Sequence, residues 1–118
     1  MIEFPELEAL KFLSGLRITD VVLQPFSIVI NLEDSSFIVC EHIVEQRNAR
    51  GDVDTLDIQI GYDRTSLQKI VDRRIVRFER DDFYLTLHFA DGQWLRIVSK
   101  AGPLESGHIS HRGVLFVF

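Results

Sequence analysis

Two stretches of the chain alternate between large apolar residues and smaller or polar ones: 26–32 (Phe-Ser-Ile-Val-Ile-Asn-Leu) and 83–89 (Phe-Tyr-Leu-Thr-Leu-His-Phe). A period of two is that of a strand with one face buried. Each stretch runs into a short polar turn, Glu33-Asp34-Ser35 or Ala90-Asp91-Gly92, and then into a second apolar run, 36–44 or 93–98. The turn length fixes the register. A two-residue Asp91-Gly92 loop sets Arg96 among large apolar side chains. A three-residue loop with Gly92 in the left-handed region instead pairs Leu87 with Leu95 and Leu85 with Ile97. The first hairpin gives the same answer, pairing Ile30 with Ile38 and Ile28 with Cys40. Ser35 stands where the second turn has glycine, which predicts a looser or differently shaped turn.

This register assigns an inner face of Phe83, Leu85, Leu87, Phe89, Leu95 and Ile97, with Phe26, Ile28, Ile30, Leu32, Ile38 and Cys40 in the first hairpin. The outer faces are Tyr84, Thr86, His88, Trp94, Arg96 and Val98, and Ser27, Val29, Asn31, Phe37, Val39 and Glu41. These are too apolar for sheets that meet only water, so a helix, the other sheet or a second subunit is expected over them.

The hairpins belong to a longer repeat. Sliding the chain by 57 positions sets Leu10 on Leu67, Arg17 on Arg74, Ile18 on Ile75, Phe26 on Phe83 and Asp34 on Asp91, and places Ile58 and Ile60 on Leu115 and Val117. Two copies result, about 5–61 and 62–118, each predicted as a short helix followed by four strands. Pro5 opens the first helix and Gly15 stops it. Thr65 to Gln68 has capping-box spacing before Leu67, Ile70 and Val71, and Asp72 replaces the glycine. The predicted strands are 17–24, 26–32, 36–44 and 54–60, then 74–80, 83–89, 93–98 and 113–118. Residues 46–53 and 100–107 read as long loops. The last strand is apolar on both faces, which predicts a central position or an interface, with self-association a direct consequence. The fold class expected is α+β, mostly β, with the two units forming one sandwich or open barrel of pseudo-two-fold symmetry in a single domain.

Composition narrows the function. The chain has 118 residues, 46% hydrophobic, with nine Phe, one Trp and two Tyr, enough for one packed core. Eighteen acidic residues against thirteen basic give a net charge of −5, which disfavours partners bound by blanket positive charge, such as nucleic acid or an anionic membrane. One cysteine excludes an internal disulfide. The N-terminal residues are acidic and include Pro5, unlike a signal peptide, and no apolar run reaches the roughly 20 residues of a spanning helix, so a cytoplasmic location is expected.

Candidate chemistry is sparse. His108 and His111 are three apart, so on a strand they point to opposite faces and cannot share a metal. Cys40 falls on the inner face as an inert thiol. Arg50-Gly51-Asp52 reads as a turn. Arg73, Arg74, Arg77 and Arg80 alternate with Asp72, Glu79, Asp81 and Asp82 as a solvated face, with a phosphate site as the minor alternative. No phosphate-cradling loop, nucleophile elbow or catalytic carboxylate pair is recognisable, so no enzymatic activity, cofactor or metal is expected. The patch that stands out is Tyr84, His88, Trp94 and Arg96, because aromatic bulk and a guanidinium on one face are what anchor interfaces. A Trp packed beneath a helix is the ordinary alternative for Trp94.

Phe12-Leu-Ser-Gly15 before a strand, the run Leu85-x-Leu-x-Phe-x-Asp-Gly92-x-x-Leu95-x-Ile97, and Leu104-Glu-Ser106 with Ile109 ahead of a closing apolar strand resemble a family of small bacterial proteins. Its pattern is a Phe-Leu-x-Gly opening, a Phe-x-Asp-Gly hairpin and a Tyr-Glu-Ser segment. Leu104 stands where the family has tyrosine. Some members are suspected immunity proteins paired with toxins. The resemblance implies no catalytic residues and marks Glu105 and Ser106 as the polar part of the motif. The function expected is a non-catalytic binding protein contacting a protein partner or itself, of immunity or inhibitor type. The alternative is a small-ligand binder with a pocket between the two halves.

Overall fold

The computed structural model describes residues 2–62, 66–100 and 104–118. Among the described residues, ten strands form two five-stranded antiparallel sheets. The first half contributes β1 (Ile18–Gln24), β2 (Ser27–Leu32), β3 (Phe37–Cys40), β4 (Ile43–Arg47) and β5 (Val53–Asp57). The second half contributes β6 (Ile75–Arg80), β7 (Tyr84–Phe89), β8 (Trp94–Val98), β9 (Gly107–His111) and β10 (Val114–Val117). One short helix, α1 (Leu7–Leu10), continues into a 3₁₀ turn at Lys11–Leu13, and a second 3₁₀ turn spans Ser66–Ile70. Thr65, the first residue of the expected capping box, lies outside the described residues.

The sheets exchange strands between the halves. The first has the order β1-β2-β3-β9-β10, and the second β5-β4-β8-β7-β6. Only Glu41 and His42 separate β3 from β4, yet these strands lie in different sheets, so the chain turns a corner there. Alternate residues of both sheets enter one buried cluster that includes Ile28, Ile30, Ile38, Leu85, Leu87, Leu95 and Ile97. The burial of this face is what fixes the register, because a slip of one residue would turn every one of these side chains to water.

The predicted hairpin register is the one observed. Ile28 faces Cys40 and Ile30 faces Ile38; Leu85 faces Ile97 and Leu87 faces Leu95. Gly92 has φ +85°. Ser35 departs from expectation. It takes φ +71° itself, and its turn is closed as the second one is. Leu32 N–H donates to Ser36 C=O and Phe89 N–H to Gln93 C=O, while Asp34 and Asp91 each accept from the backbone N–H two residues on. The Asx contact recurs in both turns and holds the loop whether serine or glycine follows. Of the expected inner face, Phe83 lies just before β7 and is only half-buried, and Phe26 departs further. It sits in the β1–β2 turn at 67% exposure.

Four strands per half is corrected to five. The run 36–44 breaks at Glu41 and His42, and β4 occupies part of what reads as the loop 46–53. Gln46, in that stretch, is buried and donates through Nε2 to Ser66 C=O at 2.9 Å. Likewise β9 follows the expected loop 100–107, with Ile109 its one fully buried apolar side chain. Ile58 and Ile60 follow β5 in a turn, whereas Val117 pairs with His108 in a ladder, so those residues hold unlike positions. Finally, β10 is not central but the edge of its sheet.

Candidate functional site

The outer face of the second sheet carries the patch singled out by sequence. Alternation along β7 and β8 sends Tyr84, Thr86 and His88, and Trp94 and Arg96, to the side away from the core. The ladder sets Tyr84 opposite Val98, Thr86 opposite Arg96 and His88 opposite Trp94. The Arg96 guanidinium lies 4.7 Å from the Trp94 ring centroid and 5.7 Å from that of Tyr84, within cation–π range of both. Its Nε donates to Thr86 Oγ1 at 2.9 Å, and Thr86 is 3% exposed. Arg96 therefore lies over Trp94, where a helix was one of the coverings considered. The helical turns pack elsewhere, Lys11–Leu13 against β6 and Ser66–Ile70 against β1.

Neighbouring strands extend the patch. Glu79 Oε1 lies 2.8 Å from His88 Nε2 and accepts from Arg77 Nη1 at 2.6 Å. The Arg77 contact, joined by His88, holds the Glu79 carboxyl below its usual range. Burial, with Arg77 nearby, pushes His88 below its ordinary value against the pull of Glu79. On the other side, β4 places Glu45 opposite Arg96 and Arg47 opposite Trp94. Sequence reading missed Glu45 and Arg47, because Arg47 falls in the stretch 46–53 read as loop and Glu45 just beyond the end of the predicted strand 36–44, so neither was given a face. A depression of about 260 Å³ lined by Glu79, Arg80, Asp81, Tyr84, Thr86 and Arg96 sits on this surface.

Glu105 is not part of this cluster. It is exposed in the segment leading into β9 of the other sheet. Its neighbour Ser106 is structural: the hydroxyl accepts from Lys100 N–H, and its C=O from Glu41 N–H.

The remaining candidates fall into structural roles. The Arg50-Gly51-Asp52 segment is a tight turn between β4 and β5, in which Asn48 Oδ1 accepts from Arg50 and Asp52 N–H groups. The arginine run is paired, Arg73 with Asp91 at 2.8 Å, Arg74 with Glu33 at 3.0 Å and Arg80 with Asp82 at 3.2 Å. Cys40 is buried, and burial drives its thiol far up from the ordinary value. His108 and His111 diverge as expected. His108 meets Phe37 edge-on, while His111 stacks on Phe12 with centroids 3.6 Å apart.

His111 brings a serine and a carboxylate together that the sequence did not link. Ser36 Oγ is 2.6 Å and Asp34 Oδ2 3.5 Å from the same nitrogen, Nδ1. A proton relay needs hydroxyl and carboxylate on opposite ring nitrogens. Ser36 is also buried, so this arrangement orients the ring against Phe12. Among the described residues no group of three or more His, Cys, Asp or Glu could hold a metal ion. Among the described residues no helix is long and apolar enough to cross a membrane.

Compared with family models, with curated proteins and with solved structures, the chain finds no match.

Proposed function

We propose that this protein is a non-catalytic binding module that contacts another protein through the outer face of the second sheet. The observation that carries this reading is the Arg96 guanidinium held between Tyr84 and Trp94. Aromatic and arginine side chains fixed in one geometry lose little freedom on binding, and these residue types dominate interface energetics. The flanking Glu45, Glu79, Arg47 and Arg77 supply a mixed-charge border that selects orientation. The net charge of −5 favours a basic partner by long-range steering. Together with the family resemblance, this makes a cytoplasmic immunity or inhibitor protein for a basic toxin, such as a nuclease, the working assignment. The test is titration calorimetry of the full chain against the product of the adjacent gene. Trp94→Ala and Arg96→Ala should weaken binding at least about ten-fold with melting little changed. Unaltered affinity in both variants would remove the face from the reading.

The same proposal treats the halves as tandem copies related by a pseudo-two-fold axis. Support comes from features that recur 57 positions apart. The bulges fall between Ile18 and Asp20 and between Ile75 and Arg77. Gly15 N–H donates to Ile75 C=O as Asp72 N–H does to Ile18 C=O. An experimental structure in which 17–40 did not superpose on 74–97 would overturn it.

A second reading is favoured by one observation. A cleft of about 390 Å³ lies where Asn48, Ala49 and Arg50 of one half meet Lys69, Arg73 and Gln93 of the other. Its cationic lining would suit a small anion. Thermal stabilisation by millimolar phosphate, lost in Arg73→Ala, would favour it.

A further inference from the structure

The four sheet edges of this fold are not alike. β1 carries Asp20 at a bulge, β6 carries Arg77 and Glu79 beyond a bulge, and β5 carries Asp54 and Asp57. Charges and bulges are the devices by which edges refuse additional strands. β10 has neither: its residues are Val114, Leu115, Phe116 and Val117, paired with β9 in unbroken register. Phe118 N–H donates to Gly107 C=O, which sets the phase of the ladder. Hydrogen-bonding residues alternate along an antiparallel strand. Phe116 and Val114 therefore bond to β9, and Leu115 and Val117 turn their N–H and C=O groups to the open side.

Side chains on both sides of this edge are uncovered. Leu115 is 58% exposed on the outer face, and Val114, on the core side, is 52% exposed. A partner stacked on the outer face would cover Leu115 and Val117 but leave Val114 in water. A strand added to the edge covers all three.

We infer that β10 is a homodimerisation edge, which joins β10 of a second copy antiparallel about a two-fold axis at Phe116. In this register Leu115 of each copy exchanges both backbone hydrogen bonds with Val117 of the other, and Phe116 faces its own counterpart in a non-hydrogen-bonded pair. The occupant is the chain itself because its own strand meets each requirement of the site. It is uncharged, so two acidic molecules meet along a strip with no like charges opposed, and its apolar positions 115 and 117 are interchanged by the axis. The first sheets of the two copies then form one continuous sheet, and the outer-face row Val22, Val29, Val39, His108 and Val117 continues across the junction. This surface is distinct from the Trp94 face, so either can fail without the other.

Sedimentation velocity of the full chain over a range from micromolar to millimolar should reveal a reversible dimer. Leu115→Lys, whose N–H faces away from β9, should raise the dissociation constant by about ten-fold or more with the melting transition of the monomer retained. Register is read independently by cross-linking. Phe116→Cys should form a disulfide dimer on mild oxidation, because non-hydrogen-bonded pairs bring Cα atoms to about 4.5 Å. Leu115→Cys, facing Val117, should not. A chain that stays monomeric at every concentration, a dimer indifferent to Leu115→Lys, or cross-linking through position 115 in preference to 116 would each overturn the inference.

Discussion

Arg17 and Arg74 stand opposite one another in an isolated antiparallel bridge that ties β1 of one sheet to β6 of the other. Two guanidinium groups at a seam would repel, and carboxylates offset that repulsion. Glu33 accepts from Arg74 Nη1 at 3.0 Å and from the Arg17 backbone N–H at 3.0 Å, its other oxygen lies 3.8 Å from Arg17 Nε, and Asp72 pairs with Arg17 at 2.6 Å. Position 90, which matches Glu33 in the second half, is alanine, so one carboxylate serves both arginines.

Glu33→Gln removes that shared counter-charge from a partly exposed seam. The expected loss is about 0.5–1 kcal/mol, shrinking as salt is added, because exposed pairs are weak and screened. Urea unfolding at low and high ionic strength measures it. An unchanged midpoint at low salt would contradict this role for Glu33.

Gly107 holds a position that no other residue fits. Its φ is +156°, and a Cβ there would lie 2.7 Å from Phe118 Cζ and press into the Val39 carbonyl oxygen. Phe118 is fully buried and stacks on Phe4 with centroids 4.3 Å apart. Gly107→Ala should cost about 3 kcal/mol or more, in the range of overpacked cores and backbone strain. Loss of soluble expression, or a melting point far below that of the parent, is the expected result.

Ser35 pays the left-handed penalty that Gly92 avoids at the matching turn. Ser35→Gly should stabilise the protein by about 0.5–1 kcal/mol, and Gly92→Ser should destabilise it by a similar amount. Differential scanning calorimetry of the two single variants distinguishes this from a general effect of glycine on the unfolded chain, which would lower stability in the first case.

Two histidines link stability to pH in the same direction. Burial lowers His88, with Arg77 adding to it, and burial with Lys100 lowers His42. Each folded value lies below the unfolded one, near 6.5, so the unfolded chain binds more protons. Their contribution is complete above the unfolded value and fades as pH falls through that value towards the folded ones. Unfolding free energy should drop between about pH 7.5 and 5.5, and His88→Gln should flatten the slope. A slope unaffected by both His88→Gln and His42→Gln would refute the linkage.

Cys40 should be silent in the native state. Burial opposes formation of its thiolate, the reactive species. Alkylation should proceed at the rate of unfolding, and labelling of the folded protein within minutes would show that the β3 interior opens locally.

The candidate patch was legible in sequence because β7 and β8 alternate cleanly; Tyr84, His88, Trp94 and Arg96 needed only the period of two and the turn length. What borders the patch was not. Glu45 and Arg47 lie in a segment with too few apolar residues to announce a strand, and β4 is held there by pairing with β5 and β8 on either side. Glu105 belongs to a local sequence motif only, and in space it precedes β9 of the other sheet, apart from the patch.

The sequence by itself determined the two long hairpins, their register, most of the buried face and the left-handed Gly92. Each depends on residues within about a dozen positions of one another, where periodicity and turn geometry act. Only the tertiary structure decided that each sheet borrows its last two strands from the other half, that β10 is an edge, and that Arg96 rather than a helix covers Trp94. Those outcomes depend on which distant surfaces meet, and β4 and β9 become strands only because neighbours on both sides satisfy their backbone groups.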